Sequence, residues 1–228
     1  MTTIRCIDFE TTGIPTDADP DHAIVEIGMC DVLATAGFPS VLSETVSVLC
    51  DPGRPIPHEA MAVHHITDDM VAGATGSIDV LGSPDYFAAH NADYEQKFFG
   101  TGRPFICTWK VALRLWPEAS SHGLQFLRYH LGLTPRPEEC VPPHRAGPDA
   151  YLCAVLMERI LEDGRASLDD MVRWSSGPAL LPRITFGKHK GSKWEDAPTD
   201  YLDWIVNKSE MDRDVKANAK HHLKARTA

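Results

Sequence analysis

Arg5-Cys-Ile-Asp-Phe-Glu-Thr-Thr-Gly13 is the stretch from which the fold is read. With Ile4 before it, Cys6, Ile7 and Phe9 give the apolar content of a short buried strand. Asp8 and Glu10 interrupt that content. Two residues apart on a strand, their carboxylates point to the same face. Ionised carboxylates side by side repel, and burying them is expensive unless a cation or a donor compensates. Thr11, Thr12 and Gly13 then bring hydroxyls and backbone N–H groups to the strand end. Either a divalent cation is held there, or this is an ordinary strand with two polar residues on a solvent face; Asp-x-Glu alone does not decide.

The length of 228 residues suits one domain of about 170 residues and a small appendage. A hydrophobic content of 43% and a charged content of 24% are ordinary for a globular protein. No run of eighteen apolar residues predicts a transmembrane helix, and the chain enters its first strand without a leader pattern. The cysteines at 6, 30, 50, 107, 140 and 153 form no Cys-x-x-Cys pair and read as reduced thiols of a cytoplasmic protein. The paired histidines His64-His65 and His221-His222 have no cysteine at zinc-ligand spacing. The formal charge of −10 is uneven, because residues 179–228 carry ten Lys/Arg against seven Asp/Glu. That balance argues against a non-specific nucleic-acid coat but admits an enzyme that meets phosphates through bound cations.

Strands are expected over residues 23–32 and 43–50, joined by short polar connections that suggest an antiparallel start to the sheet. Short helical turns follow over 60–71, a strand over 86–89, and a helix from an Asn91 cap through Phe99. Another strand over 105–108 precedes helices over 109–115 and 124–131 and a proline-rich loop over 135–143. The longest periodic helix covers 148–162, with Pro148 at its first position. This order predicts an α/β mixed sheet flanked by helices over residues 1–175, a linker over 175–182, and a small α+β module over 183–228. In that module a strand over 184–187, a basic Lys188-His-Lys-Gly turn, and a helix capped by Thr199 are expected, then a second helix from about Asp212 with Lys216, Lys220 and Lys224 on one side.

His144 and Asp149 stand in His-Arg-Ala-Gly-Pro-Asp. The Gly-Pro pair puts His144 in a loop and Asp149 in the first turn of the following helix, where its carboxylate can face the sheet end. Asp8, Glu10, Asp149 and either Asp93 or Glu95 would then be four carboxylates beside one histidine. That set suits two-metal phosphodiester hydrolysis, with two cations about 3.5–4 Å apart. An imidazole with a pKa near 6.5 can take the proton of the attacking water at neutral pH.

The segments Asp-Phe-Glu-Thr-Thr-Gly, His-Asn-Ala and His-x4-Asp, in this order, resemble the DEDDh 3′–5′ exonucleases. Residues 60–71, 106–117 and the tail from Ile184 extend the resemblance, toward the exodeoxyribonuclease branch of that family, over nearly the whole chain. The resemblance implies a ribonuclease H-like fold, two magnesium ions with manganese as substitute, and release of nucleoside 5′-monophosphates from DNA 3′ ends. It implies that Asp8, Glu10 and Asp149 bind metal and that His144 is the general base. It places Thr11, Thr12 and Asn91 against substrate, and His64 either against the terminal nucleotide or in a loop bonded to backbone. The family has aspartate where this chain has Glu95. Tyr94 and Phe98 mark the buried stripe, so Glu95 keeps the family's phase while Asp93 faces solvent, and Glu95 is expected to be the fourth catalytic carboxylate. RNA 3′ ends as substrate, or a silent binding module on the same fold, are the alternatives. Lys188, Lys190 and Lys193 are expected either to hold substrate phosphates or to be solvated lysines of a cap.

Overall fold

The structure is a computed structural model that describes residues 1–14, 22–37, 39–98 and 102–227. Strand β1 (Thr2–Thr11) is the axis of a mixed sheet. It pairs antiparallel with β2 (Ile24–Ala34), which in turn pairs with β3 (Val41–Leu42) and β4 (Val46–Leu49). On its other side β1 runs parallel to β5 (Tyr86–Ala89), which is parallel to β6 (Phe105–Cys107). The single strand expected over 43–50 is thus two short pieces against β2. Helices α1 (His58–His64) and α2 (Asp68–Val71) are the short turns expected over 60–71.

Alternation along β1 decides which face does what. Ile4 and Cys6 join the core beneath α3 (Thr108–Leu115), α5 (Ala146–Asp163) and α6 (Leu168–Ser176), while Ile7 and Phe9 join the opposite core. Asp8 and Glu10 continue the even-numbered series, so they face the layer that α5 covers, not open solvent. Helix α4 (Leu124–His130) packs beside α5. α5 buries Leu152, Leu156, Met157 and Ile160 completely, which anchors its first turn at a fixed place over the sheet. It starts at Ala146, two residues earlier than expected. Pro148 remains in the first turn, where a missing N–H breaks no helical bond.

Helix α6 was not expected from periodicity. Its start is a capping box of Ser167 and Asp170. The expected linker from Ser175 begins instead as the end of this helix, where the Ser175 hydroxyl donates to Met171 O and accepts from Cys107 N–H.

The C-terminal residues from Leu181 onward build a separate apolar cluster around Ile184, Trp194, Leu202, Ile205, Val215 and Ala219. The strand expected at Ile184 shrinks to one bridge between Arg183 and Lys193, because Gly187 turns at φ +61° into a 3₁₀ turn over Gly187–His189. Helix α7 (Thr199–Lys208) follows Pro198, which takes the cap position expected of Thr199, and packs on α8 (Arg213–Thr227). No described helix is long and apolar enough to cross a membrane.

Candidate active site

Carboxylate oxygens of Asp8, Glu10 and Asp149 all lie within 4.8 Å of one another. Two features of β2 bring Asp149 there. Gly28 pairs with Asp8, and a Cβ at Gly28 would stand 1.8 Å from Ala146 O and 2.5 Å from Gly147 N. Only glycine lets the start of α5 rest on the sheet at this point. Glu26 pairs with Glu10 and supplies the second tether. Its buried carboxylate accepts from Arg145 Nε at 2.8 Å, the Arg145 guanidinium at 2.7 Å, Ala146 N–H at 3.0 Å and the Ser47 hydroxyl at 2.6 Å.

The electrostatics of Glu26 and of the cluster run in opposite directions. Burial alone would raise Glu26, but Arg145, Ser47 and the Ala146 N–H outweigh it and hold the carboxyl below its usual range. Burial, then Glu95, Asp149 and Glu10, push Asp8 well above the carboxylate range. Glu10 is pushed up to about 8 by burial and by Asp149. Asp149 is raised by burial, against the opposing pull of the His144 N–H. Glu95 is also raised well above its usual value, first by burial. It is 2% exposed, and its Oε2 is enclosed without a hydrogen-bond partner. A crowd of hard carboxylate oxygens around one point is a donor set that suits divalent cations.

Asp93 is engaged elsewhere. Its carboxylate is half exposed and accepts from Lys110 Nζ at 2.9 and 2.8 Å. That ammonium also donates to Ser175 O and Gly177 O, so Asp93 ties the strand-end turn to α3 and the end of α6. The segment itself is not the α-helix expected from Asn91. Asn91 is exposed at φ +80°, and turns lead into a 3₁₀ turn over Glu95–Lys97. Its expected end at Phe99 lies outside the described residues.

His144 sits in an exposed loop at φ +60°, and its backbone N–H donates to Asp149 Oδ2 at 2.9 Å. Gln125 of α4 approaches the other oxygen, Asp149 Oδ1, at 3.4 Å. On the far side of Glu10 opens a cavity of about 510 Å³ lined by Thr11, Thr12, Val63, His64 and Tyr94, among others. The Thr11 hydroxyl pairs with Tyr94 Oη. Burial raises that phenol to about 12, so it is a neutral donor or acceptor at working pH. The Thr12 hydroxyl is bound to Ala23 N–H at 2.9 Å and therefore holds the turn. His64 is buried, accepts from Ile66 N–H at Nδ1, and has its ring close to the Thr11 backbone carbonyl. Glu26, Gly28, Arg145 and Gln125 are the residues that sequence reasoning missed. The one available signal was a charged residue, Glu26, inside the apolar run of β2.

The profile of a family described as "Exonuclease", of the RNase T type, matches residues 6–157. Exodeoxyribonuclease 10 of Escherichia coli K12 is 33% identical over 233 residues, covering 96% of this chain and 98% of that protein. A DNA polymerase III subunit epsilon-like protein of Rhodobacter capsulatus is 31% identical over 175 residues, 70% of this chain and 24% of its own. Among solved structures, exonuclease X in complex with 5′ overhanging duplex DNA superposes with a TM-score of 0.63 at 30% identity, over 75% of this chain and 99% of that one. The nuclease domain of 3′hExo, a DEDDh family member bound to rAMP, shares the fold at a TM-score of 0.55 and 19% identity, over 71% and 92% of the two chains.

Proposed function

This chain belongs to the exonuclease family, and on that premise we propose how it works as a 3′–5′ exodeoxyribonuclease. Its substrate is a DNA 3′ end, in keeping with the duplex DNA that its relative exonuclease X holds. The observation that carries the assignment of the site is the convergence of Asp8, Glu10 and Asp149, with Glu95 enclosed beside Asp8. When bound, two magnesium ions, or manganese in their place, would stabilise charge on the attacking and leaving oxygens of the phosphodiester.

The chain's own groups do the rest. Asp8, Glu10 and Asp149 would hold the ions, with Glu95 as the fourth catalytic carboxylate beside Asp8. The His144 ring takes the proton of the attacking water, and the bond from its N–H to Asp149 keeps its loop beside the carboxylates. Thr11, Thr12, Asn91 and His64 meet the terminal nucleotide, at the cavity that Thr11, Thr12 and His64 help to line. Residues 1–175 form the catalytic domain, whose last helix runs one residue further, and 183–228 an accessory module. Six free, buried thiols suit a cytoplasmic enzyme.

If His144 is the general base, His144→Ala lowers kcat by roughly 10²–10⁴ with KM little changed. Single-turnover kinetics read this directly, and a loss confined to KM would reduce His144 to a substrate contact. Glu95→Gln is expected to lower turnover about 100-fold or more. Asp93→Asn should keep turnover per folded molecule and lower the melting temperature, because it strips a partner from buried Lys110. The reverse pattern in turnover would hand the fourth-carboxylate role to Asp93.

A further inference from the structure

The C-terminal module presents a surface that the catalytic chemistry does not use. Trp204 is a large side chain left 41% exposed on α7, and its ring stacks on Tyr201 at 5.9 Å and an interplanar angle of 23°. The basic turn is built against the same aromatic pair. Gly187, at φ +61°, brings it so close that a Cβ there would lie 3.0 Å from Tyr201 Oη. Lys188 Nζ lies 5.6 Å from the Tyr201 ring centre, and the His189 ring lies 4.5 Å from it. Lys190 follows in the turn, and Lys208 stands one helical turn beyond Trp204, on the Tyr201 face of α7.

Among the described residues, no carboxylate forms an ion pair with Lys188, Lys190 or Lys208, whereas Lys193 is drawn to Glu195 at 3.7 Å. Asp200 is the acidic neighbour on this side of α7, and one of its oxygens accepts from Tyr201 N–H. One exposed ring, Trp204, backed by the half-buried Tyr201 and set among cations without ion pairs, on a positive module of a negative chain, fits a ligand that offers flat bases and regularly spaced phosphates.

We propose that Trp204, held in place by Tyr201, forms with Lys188, Lys190 and Lys208 an accessory site for single-stranded DNA, on which a base stacks while the lysines meet the flanking phosphates. The proposal borrows from the exonuclease assignment only the identity of the strand. Its role is to hold unpaired substrate away from the scissile bond, where the acidic catalytic domain repels it. Because the aromatic face accepts any base, the site has little sequence preference. Lys193, expected in this role from sequence, is left out by its ion pair.

The test uses the full chain in EDTA and fluorescence anisotropy with a labelled 30-nucleotide dT strand. Trp204→Ala combined with Lys188→Ala and Lys190→Ala should weaken binding at least about 10-fold. The two lysine changes should flatten the salt dependence by roughly 0.7 per lysine in the log–log slope. Trp204→Phe should restore most of the stacking loss. The substituted side chains are surface groups, and thermal melts check that the fold is kept. An unchanged dissociation constant overturns the proposal, and so does a loss given wholly by the lysines with Trp204→Ala silent. Hydrolysis of a dinucleotide with metal present is the separate arm. It should be equal in the variant and the wild type. If the wild type itself fails there, the exonuclease assignment falls while the binding result still stands or falls alone.

Discussion

Asp8→Ala should lower hydrolysis of DNA 3′ ends by roughly 10⁴-fold or more while leaving the protein folded. Asp8 stands at the centre of the cluster, where burial and three neighbouring carboxylates all act on it. Removing it leaves only Glu10 and Asp149 of the three carboxylates that converge, too few to hold two ions in place. The same crowding makes a second, less usual expectation. Without divalent cations the site is a source of repulsion, so the Asp8→Ala protein in EDTA should melt at or above the wild-type temperature.

The pH dependence of that wild-type instability follows from sign. Glu10 has its folded pKa raised from 4.5 to about 8, so between these values the folded state binds more protons than the unfolded state. Stability in EDTA therefore falls as pH rises through this window. Asp8 and Glu95 are shifted in the same direction and add to the slope. Thermal melts from pH 5 to 8.5 should show wild type losing stability faster than Asp8→Ala. Parallel curves would mean that the cluster is not under electrostatic strain.

Gly28→Ala should be nearly as damaging, although Gly28 has no side chain to offer a substrate. The added Cβ would meet backbone atoms of Ala146 and Gly147 at 1.8–2.5 Å, and backbone cannot swing aside as a side-chain tip can. The start of α5 must lift, carrying Asp149 and the His144 loop away from Asp8. Overpacking of this kind costs roughly 1–3 kcal/mol of stability. Loss of carboxylate alignment should cost about 100-fold or more in kcat. Gly102→Ala, where the new Cβ meets nothing within 4 Å, is the control and should be close to wild type in both respects. A Gly28→Ala enzyme with normal kcat would show that the contact between β2 and α5 does not set the site.

Much of this was legible in the sequence, for local reasons. The alternation of Ile4, Cys6, Asp8 and Glu10 is a period-two pattern that places both carboxylates on one face. Pro148 marks a first helical turn that holds Asp149 and leaves His144 in the loop, although the helix begins at Ala146, before the Gly-Pro pair. What was not legible depends on partners far apart in the chain. The ion pair of Glu26 and Arg145 joins residues 119 positions apart, and neither shows its partner locally. The need for glycine at 28 exists only because α5 lands there. The α6 helix was overlooked although Ser167-x-x-Asp170 is a capping signal. The expected helix after Asn91 failed because Asn91 takes a left-handed conformation and the following turns are tighter than α. In the tail, Gly187 ended the expected strand after a single bridge.

The central claim is that one carboxylate cluster at the end of β1 hydrolyses DNA from its 3′ end. The most direct measurement follows the products from a 5′-labelled single strand incubated with wild type or Asp8→Ala, with magnesium, with manganese, and with EDTA. Wild type with either metal should give a ladder that shortens one nucleotide at a time from the 3′ end, with nucleoside 5′-monophosphates released. EDTA or Asp8→Ala should leave the strand intact. A ladder that persists in EDTA or with Asp8→Ala, or release of the 5′-terminal nucleotide before any shortening, would contradict the account.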